Sequence, residues 1–308
     1  MRKTRFEMDA ATFIHANRIE PMTSSRDTAV SVGNVAKPPY EPRRRLSSSA
    51  WEDLVGGLAR YQLWGRIGWV DVKRRYRRTA IGPFWSALTL AFYVLAVGAV
   101  GSGLWKQDIK TYIPYLASGL VTWTAVSMAI TEACTMFVMG HALFRNVKFE
   151  FSILGYALVW KHSILFLHNL SVYIVAVLIL NPFLLGPAIL LAIPGFFLVL
   201  INMAWIVLLV GLLCLRYRDI QPLIQSSVQI AMLVTPILWT VELLRDTRGD
   251  IFVTYNPLYH LINVVRAPLM GEAPALANYM AVGLITLGGW GLTYLTFMRA
   301  RHRITYWS

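Results

Sequence analysis

From Ile81 to Trp105 the chain runs without one Asp, Glu, Lys or Arg. A helix needs about 20 apolar residues to cross the hydrocarbon core of a bilayer. Further runs of that kind follow, so the sequence is constrained to an all-α polytopic membrane protein. Composition agrees, with 56% apolar and 15% charged residues and a mean hydropathy of +0.51, where a soluble domain carries about a quarter charged residues. The formal charge of +13 would suggest nucleic-acid binding in an ordinary chain. Here it reads as Lys and Arg concentrated in cytoplasmic loops, and no nucleic-acid partner is expected.

Six spans are expected: Ile81 to Trp105, Tyr112 to Phe144, Ile153 to Leu180, a fourth from Asn181-Pro182 to Leu215, Pro222 to Thr240, and Leu276 to Met298. The connections test this count. Those assigned to the inner side carry Arg145, Lys148, Arg216, Arg218, Arg299, Arg301 and Arg303 against Glu150 and Asp219; the outer ones balance five cations with five acids. The basic amino-terminal segment adds to the first set, which puts both termini in the cytoplasm. Ile251 to Met270 is apolar but broken by Pro257, Arg266 and Pro268. Irregular backbone at membrane depth is tolerated only against protein or a water-filled cavity, so re-entrant or interfacial helices are expected on the outer face, between spans five and six.

The chain divides into four parts. Residues 1–48 are polar and basic, with no apolar stretch that would serve as a secretory leader, and are expected to be a disordered cytoplasmic segment. Residues 49–80 form an amphipathic interface helix and a basic linker; Ser49 and Glu52 have capping-box spacing, and Trp51, Leu54, Val55, Leu58 and Tyr61 recur at helical intervals. That stripe suits a helix flat on the membrane surface or one packed on its own bundle. Residues 81–298 hold the spans and 299–308 a basic cytoplasmic tail.

Catalytic machinery is missing from the pattern. There is no G-x-x-x-x-G-K-[ST] phosphate loop, no G-x-S-x-G elbow and no H-E-x-x-H helix. Cys134 and Cys214 lie in apolar runs, and the six histidines are scattered, so neither a disulfide framework nor a metal site is expected. Glu132 is the exceptional intramembrane acid. It lies 15 residues before Val147 and Lys161 lies 14 after, so an antiparallel hairpin places them at similar depth. A pairing of Glu132 with Lys161 or His162 would make both charges tolerable; alternatively Lys161 snorkels to the inner surface.

Four stretches resemble the permease subunit of ABC-2 type exporters of bacterial polysaccharides, the O-antigen, capsule and teichoic-acid class. Residues 73–85, K-R-R-Y-R-R-T-A-I-G-P-F-W, include Gly82, Pro83 and Trp85. Residues 116–123 read L-A-S-G-L-V-T-W. Residues 216–239 join Arg218-Asp219 to a span ending near Pro236. Asn256-Pro257 is followed by Arg266. Glu150 departs from the family, where many members place proline.

The resemblance implies a homodimer, two copies of a separate ABC ATPase that holds ATP and Mg, and no cofactor on this chain. It implies export of a lipid-linked, O-antigen-like polysaccharide across the cytoplasmic (inner) membrane, and contact with membrane lipids. ATPase contacts would fall on Trp51, Leu54, Arg145, Asn146, Lys148 and Phe149. Arg74, Arg75, Arg77 and Arg78 would meet a lipid diphosphate, or alternatively anionic head groups. Tyr93, Trp123, Trp239, Tyr255 and Tyr259 would line a glycan conduit, or alternatively belong to interfacial aromatic belts. A lipid or drug exporter and a membrane-embedded glycan-modifying enzyme are the competing readings.

Overall fold

The computed structural model describes residues 49–146, 150–244 and 250–307; the expected disordered segment 1–48 lies outside them. It is built from helices: α1 (Ala50–Ala59), α2 (Tyr61–Arg75), α3 (Phe84–Leu104), α4 (Ile109–Asn146), α5 (Ser152–Leu180), α6 (Ala192–Arg216), α7 (Ile220–Val234), α8 (Asp250–Thr254), α9 (Pro257–Leu269) and α10 (Leu276–Trp307). Two short 3-10 turns, Pro182–Leu184 and Pro187–Leu191, join α5 to α6.

Five of these are long and apolar enough to span a bilayer: α3, α4, α5, α6 with its preceding turn, and α10. The expected fifth span differs. α7 has 15 residues, about 22 Å at 1.5 Å per residue, and gives way at Thr235-Pro236 to irregular backbone. The reason is local, because proline offers no N–H to continue a helix and disfavours helical geometry in the residue before it. Thr235 is extended, with ψ 137°. Among the described residues, five helices of spanning length and one shorter apolar helix therefore stand where six spans were expected.

The segment expected to be re-entrant is α8 and α9. Asn256 caps α9, its Oδ1 accepting from the N–H groups of Leu258 (2.9 Å) and Tyr259 (3.2 Å), and Pro257 occupies the first helical position. α9 is buried among α4, α6 and α10. Gly195 of α6 makes this approach possible, since a Cβ there would collide with the Val264 carbonyl.

The interface segment is two helices rather than one, broken at Arg60. The capping box forms as its spacing requires, Ser49 Oγ accepting from Glu52 N–H and Glu52 from Ser49 N–H. The face turned to the bundle carries Ala50, Asp53, Leu54 and Gly57, while Trp51, Val55, Leu58 and Tyr61 of the apolar stripe are exposed. α1 and α2 both lie along α5. One end of the bundle thus carries α1 and the connection between α4 and α5; the opposite end carries α9 and the break after α7.

Candidate functional site

At the α1 end the sequence brings three ionisable side chains to one carboxylate. Glu132 Oε2 meets Lys161 Nζ at 2.5 Å and lies 3.3 Å from His162 Nε2, while Oε1 meets Arg75 Nη1 at 3.0 Å. The expected Glu132 to Lys161 pairing is present, with both candidate partners engaged. Arg75 is the addition, and it ties α2 to α4; of the four arginines expected at a lipid diphosphate it is the one paired to Glu132, while Arg74, Arg77 and Arg78 are exposed. Glu132 lies 20 residues from Tyr112 along α4, about 30 Å, or one hydrocarbon thickness. The Glu132 side chain keeps 28% of its surface exposed, and this partial hydration lowers the cost of its charge.

The same end holds α1 onto the start of α5. The Asp53 carboxylate accepts from the backbone N–H groups of Phe151 (3.2 Å) and Ser152 (3.1 Å), and Ser152 Oγ donates to the Asp53 carbonyl at 2.7 Å. An anion at a helix N-terminus satisfies donors that lack intrahelical partners and complements the helix dipole. Tyr156 Oη adds a bond to the Leu54 carbonyl at 3.0 Å, and Arg60 pairs with Glu150 at 3.1 Å. Glu150, the departure from the family pattern, thus has a partner on the interface segment. Of the residues expected to face an ATPase, Leu54 is turned into the bundle and Trp51 is 64% exposed. Arg145 and Asn146 close α4, and Lys148 and Phe149 lie outside the described residues.

At the opposite end, residues far apart in sequence converge on the break after α7. The Pro236 carbonyl accepts from Arg266 Nη1 (2.7 Å) and Tyr115 Oη (3.0 Å). Arg266 Nη1 also bonds Tyr115 Oη at 2.6 Å, and its guanidinium lies 4.2 Å from the Tyr115 ring centroid. Asn256 Nδ2 donates to Thr235 Oγ1 at 3.0 Å, Tyr112 Oη to the Leu238 carbonyl at 2.5 Å, and Gln107 bonds Thr240. Irregular backbone that lipid would leave unsatisfied is satisfied by protein. Gly119 makes room for Arg266, because a Cβ there would collide with the guanidinium. Arg266 is only 2% exposed.

The residues singled out by the resemblance divide accordingly. Pro236, Asn256, Pro257 and Arg266 belong to this one network. Gly82 sits at φ 57°, in the left-handed region glycine favours, in the turn before Pro83 and Trp85. Arg218 and Asp219 form an exposed turn before α7. The five expected conduit aromatics do not make one exposed line: Trp123 is buried in the bundle, Tyr93 and Tyr255 are exposed, and Tyr259 packs edge-on against His260 with centroids 5.3 Å apart. Trp239 bonds the Leu233 carbonyl through Nε1, capping the end of α7. Tyr115, Thr235 and Asp53 escaped the sequence reading, since each acts on a partner in a different helix and leaves no local pattern.

No family model matches the chain. It is 22% identical over 231 residues to the O-antigen export system permease protein RfbA of Klebsiella pneumoniae, an alignment covering 72% of this chain and 85% of that protein. It is 20% identical over 225 residues to the protein of the same name from Myxococcus xanthus, covering 70% and 85%.

Proposed function

We propose that this chain, an ABC-2 type O-antigen export permease, works as a homodimer with two copies of a separate ABC ATPase, moving a lipid-linked polysaccharide outward across the cytoplasmic membrane. The observation that carries the reading is the joint one: relatives named as O-antigen export permeases align over about seven tenths of the chain, and four residues of the resembling stretches, Pro236, Asn256, Pro257 and Arg266, meet at the broken end of α7. In this reading both termini and the α1 end face the cytoplasm, by the excess of Lys and Arg there, and the α9 end faces outward.

The chain supplies a path and the partner supplies the energy. ATP and Mg are held by the ATPase, which presses on Trp51 of the interface segment and on the connection of Arg145, Asn146, Lys148 and Phe149. Because Asp53 and Arg60 fasten that segment to the beginning of α5, a displacement there is passed to a membrane-spanning helix. Exposed Arg74, Arg77 and Arg78 meet the diphosphate of the lipid carrier, for which guanidinium forks are suited. Arg75 reaches the same area while holding Glu132. The conduit aromatics Tyr93, Trp239, Tyr255 and Tyr259 act on the glycan only in the dimer, where sugar C–H faces slide on rings while hydroxyls stay hydrated; Trp123, buried in the bundle, does not reach it.

Deletion of the gene is the direct test. Loss of surface polysaccharide, accumulation of lipid-linked polymer inside the cell, and restoration by the wild-type chain are expected. Unchanged surface polysaccharide in the deletion strain would overturn the reading.

A further inference from the structure

Between α2 and α5 lies a cleft of about 630 Å³ that none of the functions above uses. Its walls are Tyr61, Trp64, Trp69 and Trp160, and its polar groups are Gln62 and Arg66. Rings and hydrogen-bonding groups thus share one cleft. Tyr61, Trp69 and Trp160 are 62%, 47% and 40% exposed, whereas Trp64 is fixed by a bond from Nε1 to the Leu58 carbonyl and by edge-on packing against Trp160. Flat aromatic walls with an amide and a guanidinium at their edge fit a pyranose: its C–H face covers a ring, and its hydroxyls find a donor and acceptor amide and a donor fork. Gly68 brings α2 against α5 at the Ala157 carbonyl, so the walls are set by backbone packing.

Position adds the second argument. The basic stretch begins at the rim of the cleft, Lys73 Nζ lying 5.5 Å from the Trp69 ring centroid, and it continues through exposed Arg74, Arg77 and Arg78. Beyond it a groove of about 670 Å³ opens between α3 and α5, lined by apolar residues from Ile81 and Phe84 to Ile179 and Leu180. Helix α5 serves as the ruler. Trp160 lies in the cleft and Ser171 in the groove, eleven residues apart, which is three turns and about 17 Å on nearly one azimuth. In order, then, the surface presents aromatic rings with hydrogen-bonding groups, a run of cations, and an apolar trough.

Taking the exporter reading above as its premise, we propose that the α2/α5 cleft is a subsite for the first sugars of a glycan carried on a prenyl diphosphate, with the diphosphate on Arg74, Arg77 and Arg78 and the prenyl chain in the α3/α5 groove. The three zones repeat the chemical order of that amphiphile: sugar, diphosphate, hydrocarbon. The subsite distinguishes a loaded carrier from a bare one before transport begins.

Two probes test this with the full chain in lipid nanodiscs: farnesyl diphosphate, and farnesyl diphosphate bearing one N-acetylglucosamine, each titrated calorimetrically. The wild-type chain is expected to bind the glycosylated probe about fivefold to tenfold more tightly, the scale of one good aromatic contact. Trp69→Ala should abolish that preference, with the bare probe bound as before, while Trp69→Phe keeps most of it. Gly65→Leu should also abolish it, since a Cβ at Gly65 meets nothing within 4 Å and the added side chain fills the cleft without disturbing the fold. Arg77→Gln with Arg78→Gln should weaken both probes equally. Equal affinity for the two probes in the wild type, or a preference that survives Trp69→Ala, would overturn the subsite. So would loss of ATPase copurification in Trp69→Ala, because that outcome assigns the cleft to a protein partner. If the bare diphosphate fails to bind at all, the exporter reading falls with it; if it binds and the sugar adds nothing, only the subsite falls.

Discussion

At the α1 end, three cationic or protonatable side chains gather around the Glu132 carboxylate, from two helices, α2 and α5. At the α9 end, Arg266 is more deeply buried, and among the described residues it meets a phenol and a backbone carbonyl instead of an acid. The contrast follows from what each end has to satisfy. At the α1 end the Glu132 ion pairs are partly exposed, so water shares in satisfying their charges. The α9 end has a broken helix whose Pro236 carbonyl needs donors, and Arg266 Nη1 and Tyr115 Oη both supply them. One end is held by partly exposed charges and the other by buried hydrogen bonds.

Breaking the α9 end should therefore have the largest effect. Arg266→Ala removes charged hydrogen bonds, a ring contact and buried volume together, and is expected to cost about 3–5 kcal/mol, read as loss of monodisperse protein in fluorescence-detected gel filtration. Arg266→Lys should recover only part, because a point charge cannot serve Tyr115 and Pro236 in the same geometry. Equal stability of the lysine and arginine forms would erase the distinction drawn between the ends.

The Glu132 cluster comes next. Glu132→Gln leaves Lys161 and Arg75 close together without their common acid, and about 1–3 kcal/mol of stability should go, with a lowered apparent Tm. Exchanging charges, Glu132→Lys with Lys161→Glu, should rescue only partly, since Arg75 then faces a lysine. Complete rescue would show that Arg75 contributes nothing to the cluster.

Asp53→Ala is a smaller perturbation. It leaves two N–H groups at the start of α5 without their carboxylate, at about 1–2 kcal/mol, and faster amide exchange in α1 is the expected signature, with α9 unchanged. Smallest is Arg60→Ala. The Arg60 to Glu150 pair is partly exposed, so about 0.2–1 kcal/mol is expected, vanishing in 1 M salt because screening acts within about 3 Å there.

The difference between the ends also explains what could be read without coordinates. Glu132 and Lys161 were legible because a hairpin turns residue count into depth, and the spanning helices because apolar length alone defines them. Pro257 and Pro268 marked the segment of α8 and α9 as a broken apolar run, and the cap that Asn256 forms on α9 is seen in the structure. The shortening of α7 was signalled by Pro236 but hidden inside an apolar run that continues past it. Arg266 was counted as an outer-loop charge, since nothing near it in sequence reveals partners 30 and 151 residues away. Arg75 likewise stood among similar neighbours, Arg74, Arg77 and Arg78, and only its helical azimuth separates it from them. The break at Arg60 makes two helices of the single one expected, and α1 buries Leu54 of the apolar stripe together with Ala50, Asp53 and Gly57.

The most direct measurement is transport in proteoliposomes made with the purified chain alone, with its ATPase partner alone, and with both, using lipid-linked polysaccharide as cargo. The account predicts ATP-dependent translocation only when both proteins are present. Translocation, or ATP turnover, by the chain on its own would contradict it.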